Sequence, residues 1–495
     1  MAILLENASV VTLNRAKPVL EGQQILIHQG SLAQMGRQIH TRALPITKRI
    51  DCSQKIVMPG LVNAHSHLTE ILQRSFRDNV RMEIWRGYRA TTEDRAHLAA
   101  EEIGAAAELA CAEMLKNGVT AVVDHFSTRP GLSVAKMDAI LSAFEKTGIR
   151  GTLVPSLRDQ DFIQLATRSQ SRRRAAEKRS QEPWREEVLT VLERLRGSRT
   201  LSGLMLGPSS PMNCSDELLR EVALLAEQLD LGIHTHLLET RLQSWAARKL
   251  YKKPLCAHLA EIGFLSPRLS AAHSIWLNER EMDLFASSGA SVVHNPASNL
   301  KLGSGIAPIA KLKTRGVNVA LGTDGGDTSD TYSIFEQMRL AAFLSRLVAE
   351  NPDDWITALD ALRMGTANGA NAFPHWRGKI GQMKPGYRAD LIILKPSLRL
   401  RPLNDIVHQL VFCEGGQSVD TVIVDGTVVV EGGRLTRVDE ESLIRRVEPI
   451  SRKMHRLYSL TKKKPDHAQR ITRDLYKKAF RRKTGGLPLW QAAKK

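Results

Sequence analysis

The chain has 495 residues, 42% apolar and 25% charged, which excludes a disordered chain, a collagen and a small disulfide scaffold and leaves room for about three domains or one large barrel with appendages. No stretch approaches the ~18 uninterrupted apolar residues of a membrane span, and Glu6 interrupts the first apolar run too early for a secretory signal. The net charge of +18 is concentrated at one end: residues 451–495 hold 15 Lys/Arg against 2 Asp/Glu, so a uniformly basic, nucleic-acid-binding surface is not expected.

Residues 1–56 alternate apolar and polar positions with Gly30 and Gly36 as breaks, a pattern of strands and turns. The pattern returns at 380–440, where Ala389–Leu394 and Val419–Val424 read as strands and Asp425-Gly426 as a hairpin turn. Two β-rich ends around a different middle predict a small composite β-sandwich domain, 1–56 plus 380–440. The middle, 57–379, alternates short apolar runs with helix-length segments. The runs are Val57–Ala64, Ala121–Phe126, Gly151–Pro155, Gly203–Gly207, Gly232–Leu237, Leu269–His273, Ser291–His294 and Val317–Gly322. Eight such alternations predict an α/β fold, a (β/α)₈ TIM-type barrel. An Arg-rich stretch at 168–185 reads as a solvated face. Residues 441–495 form a basic C-terminal extension whose spaced apolar residues, among them Leu457, Leu460 and Leu475, suit a helix laid against the body or a partner. Five widely spaced cysteines read as reduced thiols of a cytoplasmic protein.

In such a barrel the functional side chains sit at the C-terminal ends of strands, and the reactive residues fall there. His65 and His67 end the first run, His234, His236 and Glu239 the fifth, His273 the sixth, His294 the seventh and Asp324 the eighth. Imidazole and carboxylate are ligands that Zn²⁺ or Fe²⁺ prefers. His65 and His67, two apart on a strand, point the same way and can grip one ion together.

These residues in their local contexts, Pro59-Gly-Leu-Val-Asn-Ala-His65-Ser-His67, His236-Leu-Leu-Glu239, Ala272-His273-Ser274 and Gly322-Thr-Asp324-Gly325, resemble the amidohydrolase superfamily. The likeness is to its cytosine deaminase, adenosylhomocysteine deaminase and triazine hydrolase branch. The run from His294-Asn-Pro to Pro308 and Pro385-Gly-Tyr-Arg-Ala-Asp390 extend it over about residues 1–440. The resemblance implies one divalent metal per chain, zinc or iron, held by His65, His67, His236 and Asp324. It also implies hydrolytic deamination of an amino-substituted N-heterocycle by a metal-activated water. Asp324 would take the water's proton, His273 would polarise the water or the developing oxyanion, and Glu239 would protonate the ring nitrogen and then the leaving amine. His234 reads as a packed ring behind the ligands.

Substrate contacts are expected from Glu70, Trp85, Arg158 and Ser209. Ser209 marks a departure: adenosylhomocysteine deaminases usually carry Pro-His-Ala-Pro where this chain has Pro208-Ser-Ser-Pro211. That departure, with His67-Leu-Thr-Glu70, turns the resemblance away from nucleosides toward the triazine side, and Asp327 and Asp330 suggest a cationic or donor-rich substrate. Two alternatives remain open at this point: removal of chloride or an alkylamine from a similar ring, and an inactive binding protein using its basic tail. A homo-oligomer, dimer or larger, is expected by analogy with relatives, and nucleic acid is an unfavoured partner that the tail leaves open.

Overall fold

In the computed structural model the alternation at the two chain ends becomes one sheet of nine strands. Its order runs Arg434–Leu435, Thr427–Glu431, Val419–Val424, Leu391–Leu394, Ile56–Pro59, Ala2–Val11, Val19–His28, Ser31–Gly36, with Lys48–Asp51 paired parallel to Ala2–Val11. The structure describes residues 2–41, 44–85, 98–127, 132–167, 184–196, 201–461, 470 and 473–477. One face of the sheet makes its own core from Ile3, Leu5, Val10, Ile25, Ile27, Leu391, Ile393 and Ile423. The other face turns Ile56, Met58, Ile392, Leu394 and Val422 into the main core. The Asp425-Gly426 hairpin forms as its residues demand, with φ of 52° and 77° at the two turn positions.

The middle of the chain is of TIM-barrel type. Parallel pairings run from Leu61–His67 to Val119–Phe126, to Arg150–Leu157, and to the split strand Gly203–Leu204 and Gly207–Pro208. A bridge from Leu206 to Ile233 carries the ring on to Ile233–Leu237, Leu269–His273, Ser291–His294 and Val319–Leu321. Asp324–Gly325 then pairs with Ser66 and His67 and returns to the first strand. Small and branched side chains, including Val62, Ala64, Ala121, Val123, Val154, Val293 and Ala320, fill the interior, and Phe373, Trp376 and Ile380 close it from beyond the last strand.

The first predicted run, Val57–Ala64, is divided by Gly60: Ile56–Pro59 joins the terminal sheet and Leu61–His67 the barrel. A Cβ at Gly60 would lie 2.1 Å from Thr120 Oγ1, so only glycine lets the chain pass between the two sheets there. The sheet and barrel are pinned by Arg150, whose Nε and Nη2 bond Asp390 at 2.7 and 2.9 Å and whose Nη2 also reaches Asp425 at 2.8 Å. Most of the Arg-rich stretch lies outside the described residues; Arg185 lies in the first turn of the helix Trp184–Arg196 and pairs with Glu221 at 3.5 Å. The extension starts as a helix, Glu440–Thr461, laid on the barrel helix Ala100–Lys116 through Leu443, Val447, Ile450 and Met454. Its basic residues are partly spent there: Arg446 pairs with Glu108 at 2.6 Å and Lys453 with Glu102 at 2.8 Å. No helix among the described residues is long and apolar enough to cross a membrane.

Candidate metal and catalytic site

The strand ends bring His65, His67, His236 and Asp324 together at one rim of the barrel. His67 Nε2 lies 3.2 Å from His236 Nε2, and Asp324 Oδ1 lies 3.4 Å from both His65 Nε2 and His67 Nε2. The other ring nitrogens decide what these atoms offer. His67 Nδ1 donates to the carbonyl of His125 at 2.6 Å, and His236 Nδ1 to that of Ser209 at 2.6 Å. Each neutral ring therefore presents a lone pair at Nε2. For His65 the assignment passes through a relay. Ser270 Oγ donates to Ile233 O at 3.2 Å, His234 Nδ1 donates to Ser270 Oγ at 2.8 Å, and His234 Nε2 accepts from His65 Nδ1 at 2.8 Å. His65 Nε2 is then a buried acceptor with no hydrogen-bond partner among the described residues.

Three lone pairs and a carboxylate facing one another repel unless a cation lies among them. Tetrahedral zinc sites with bonds of about 2.0–2.1 Å place neighbouring donors roughly 3.3 Å apart, close to the separations of the His67–His236, His65–Asp324 and His67–Asp324 pairs. Burial lowers the His65 ring to about 4, so it is neutral at ordinary pH. Asp324 is buried, where a carboxylate stays ionised only beside a positive charge, which a cation among these rings would supply. The residue adopts φ of 65°, a left-handed backbone that aspartate tolerates better than most, and its Oδ2 accepts from Ser298 Oγ at 2.5 Å.

His273 ends the sixth strand at φ 69°, its Nδ1 2.9 Å from Asn299 Oδ1 and its Nε2 4.0 Å from Asp324 Oδ2. Glu239 is buried on the turn after the fifth strand, where its backbone N–H donates to Gln243 Oε1 at 2.8 Å. Glu70 is fully buried 4.0 Å from His67 Nδ1, and a Cβ at Gly325 would lie 1.7 Å from its Oε2, so the Asp324-Gly325 dipeptide is a steric requirement of Glu70. Trp85 is buried on a helical turn whose Glu83 accepts from Thr240, next to Glu239. Ser209 presents a buried Oγ with no hydrogen-bond partner among the described residues. Arg158 is exposed past the third strand, and its neighbour Asp159 is occupied by Ser215, whose N–H and Oγ donate at 2.7 and 2.6 Å.

The expectation drawn from Asp327 and Asp330 needs correction. Asp327 lies 3.9 Å from the buried Arg77, and Asp330 pairs with Lys301 and accepts from Ser75 N–H at 2.8 Å, so cations of the chain itself meet both charges. One residue was not anticipated. His125, at the end of the second strand, stacks its ring 4.7 Å from that of His236, and its ligand atom lies within 4.8 Å of those of His65 and His236. Its signal was available, since Asp124-His125 ends a predicted run as the other site residues do.

Residues 56–429 match the model of the amidohydrolase family. The chain belongs to the amidohydrolase family. This amidohydrolase is 32% identical over 456 residues to a 5'-deoxyadenosine deaminase of Methanosarcina mazei, a match covering 91% of this chain and 98% of that one. It is 33% identical over 453 residues to a 5-methylthioadenosine/S-adenosylhomocysteine deaminase of Nitratidesulfovibrio vulgaris, covering 91% and 97%. Among solved structures it resembles a zinc-bound adenosine deaminase from Xanthomonas campestris, with a TM-score of 0.82, 27% identity and coverage of 92% and 98%. The amidohydrolase is a metal-dependent hydrolase that removes an amino group from an N-heterocycle, and its His65-His67-Asp324 group suits a divalent cation such as the zinc bound in the Xanthomonas campestris structure.

Proposed function

We propose that this chain deaminates a 5'-modified adenosine nucleoside, replacing the exocyclic amino group of the purine by oxygen. The observation that carries the chemistry is the meeting of His65, His67 and Asp324 at one rim with His236 Nε2 3.2 Å from His67 Nε2. The near full-length likeness to deaminases of 5'-deoxyadenosine and 5-methylthioadenosine supports the substrate class.

In this reading His65, His67, His236 and Asp324 hold the metal. A divalent cation held there would lower the pKa of water toward ~7 and so make a nucleophile available at neutral pH. With Nδ1 donating to Asn299 Oδ1, His273 turns Nε2 toward Asp324, where it would meet the attacking water. Asp324 takes the water's proton. Glu239 hands a proton to the ring nitrogen beside the attacked carbon; as the tetrahedral adduct collapses, its hydroxyl proton passes through Glu239 to the departing ammonia, and the proton held by Asp324 restores Glu239. Glu70, Trp85, Arg158 and Ser209 contact the nucleoside, Trp85 by stacking on the flat base and Ser209 through its Oγ.

The same proposal includes a β-sandwich formed by residues 1–56 and 380–440, supported by a core drawn from both halves of the sheet. It also includes the 57–379 barrel, the 441–495 extension, a homo-oligomeric state and a cytoplasmic location, the last supported by five free cysteines. The test of function is metal content together with ammonia release from 5'-deoxyadenosine, methylthioadenosine, pterins and amino-triazines. Ammonia from the nucleosides supports the reading. Metal with ammonia only from another ring overturns the substrate.

A further inference from the structure

The extension does more than cover a barrel helix. Toward its C-terminal end the Glu440–Thr461 helix meets the segment that follows the first barrel strand. There Tyr458 OH donates to Phe76 O, its ring stacks 4.7 Å from that of Phe76, and the Arg77 guanidinium lies 5.3 Å from the Tyr458 ring. Farther along, Leu475 and Tyr476 are again buried, at 5% and 8% exposure. Arg81 lies 5.3 Å from the Tyr476 ring, and Tyr476 OH donates to Glu83 Oε2. The other oxygen of Glu83 accepts from Thr240 Oγ1. Thr240 directly follows Glu239 and caps the helix Arg241–Tyr251, and Gln243 from its first turn holds the Glu239 backbone N–H at 2.8 Å.

We propose that the C-terminal extension is part of the active-site wall, with Tyr476 a positioning residue that fixes the Glu239 turn through Glu83 and Thr240. Glu83 is 2% exposed, and a buried carboxylate needs a donor at each oxygen. One donor comes from the turn bearing Glu239 and the other from the extension, so the carboxylate ties the two together. Burial and the neighbouring Glu83 push the Tyr476 phenol up, which keeps it a donor. The bond is charge-assisted and shielded from water, the setting in which such bonds are strongest. The helical turn that bears Glu83 also carries Trp85, so the extension steadies both the proton-transferring and the stacking side of the pocket.

The inference rests on Glu239 being the proton carrier, and the test separates the two claims. Ammonia release from 5'-deoxyadenosine is measured for the full-length, metal-loaded wild type, Tyr476→Phe, Glu239→Gln and the double variant, with metal content and Tm alongside. Misplacing a catalytic group by a fraction of an ångström is expected to lower kcat of Tyr476→Phe about tenfold, with KM, metal content and Tm little changed. In the Glu239→Gln background the same change is expected to matter less than about twofold. An equal loss in both backgrounds, or no loss in the wild-type background, overturns the inference. A fully active Glu239→Gln overturns the proton-carrier reading and this inference with it, whereas an impaired Glu239→Gln beside a normal Tyr476→Phe overturns only the inference. Amide exchange at Glu239 and Gln243 gives an independent readout: Tyr476→Phe should speed it, and unchanged exchange contradicts the proposal.

Discussion

His234 stands one ring behind His65 and decides which nitrogen His65 offers. Its own proton is committed to Ser270, so it can only accept from His65, and His65 is left with Nε2 as a lone pair. Groups that orient a ligand in this way are worth about 10–100-fold in metal affinity. His234→Phe is therefore expected to weaken zinc binding by that factor in a competition titration with a chelator; unchanged affinity would mean that packing alone orients His65. Glu239→Gln should retain the metal and lose about 10²–10⁴ in kcat, since proton transfer by a placed carboxyl contributes that much. A histidine outside this group also contributes to acid stability. His375, far from the rim, bonds Thr152 Oγ1 at 2.7 Å, and burial lowers its ring from 6.5 to about 3. The unfolded chain binds a proton there that the folded chain refuses, so this stability is complete above pH 6.5 and is lost as pH falls toward 3. Urea midpoints should fall less steeply from pH 7 to pH 4.5 for His375→Gln than for the wild type. Sequence pattern reached the ligand candidates because strand ends place side chains on one rim. It passed over His125, whose run also ends in reactive side chains, and it left the partners of Asp327 and Asp330 unseen because Arg77 and Lys301 come from other elements.

At the scale of elements, local pattern located the strands, and contacts between distant segments settled the rest. Nothing in the apolar run 57–64 shows that its halves belong to different sheets; that follows from Gly60 passing Thr120. Likewise the Asp390 motif is legible as a resemblance, while its physical task, gripping Arg150 with both oxygens, needs a partner 240 positions away. Arg150→Met leaves Asp390 buried without its cation and is expected to cost about 3–5 kcal/mol in the urea midpoint; a loss under about 1 kcal/mol would show that Arg388 or water substitutes. In the extension, the apolar face and the ion pairs differ in weight. Met454 is 2% exposed, and Met454→Ala should cost about 2–5 kcal/mol. Lys453, 37% exposed in its side chain, pairs with Glu102 in a more solvated setting, and Lys453→Ala should cost less than about 1 kcal/mol. The reverse order would mean that charge, not burial, docks the helix.

For the whole molecule, the +18 net charge is the feature that least resembles an ordinary enzyme. Part of the basic extension is answered within the chain by Glu102 and Glu108, and part of it leads Tyr476 to Glu83, which favours an intramolecular role over a nucleic-acid one. The barrel rim, the sheet that braces it and the extension all serve one spot, where neutral histidines and an ionised aspartate meet. The most direct test is the ammonia released from 5'-deoxyadenosine by protein of measured zinc content. The account predicts ammonia in proportion to bound zinc, lost on chelation and restored by adding the metal back. Zinc-loaded protein that releases no ammonia from this nucleoside, or release that does not follow the metal, would contradict it.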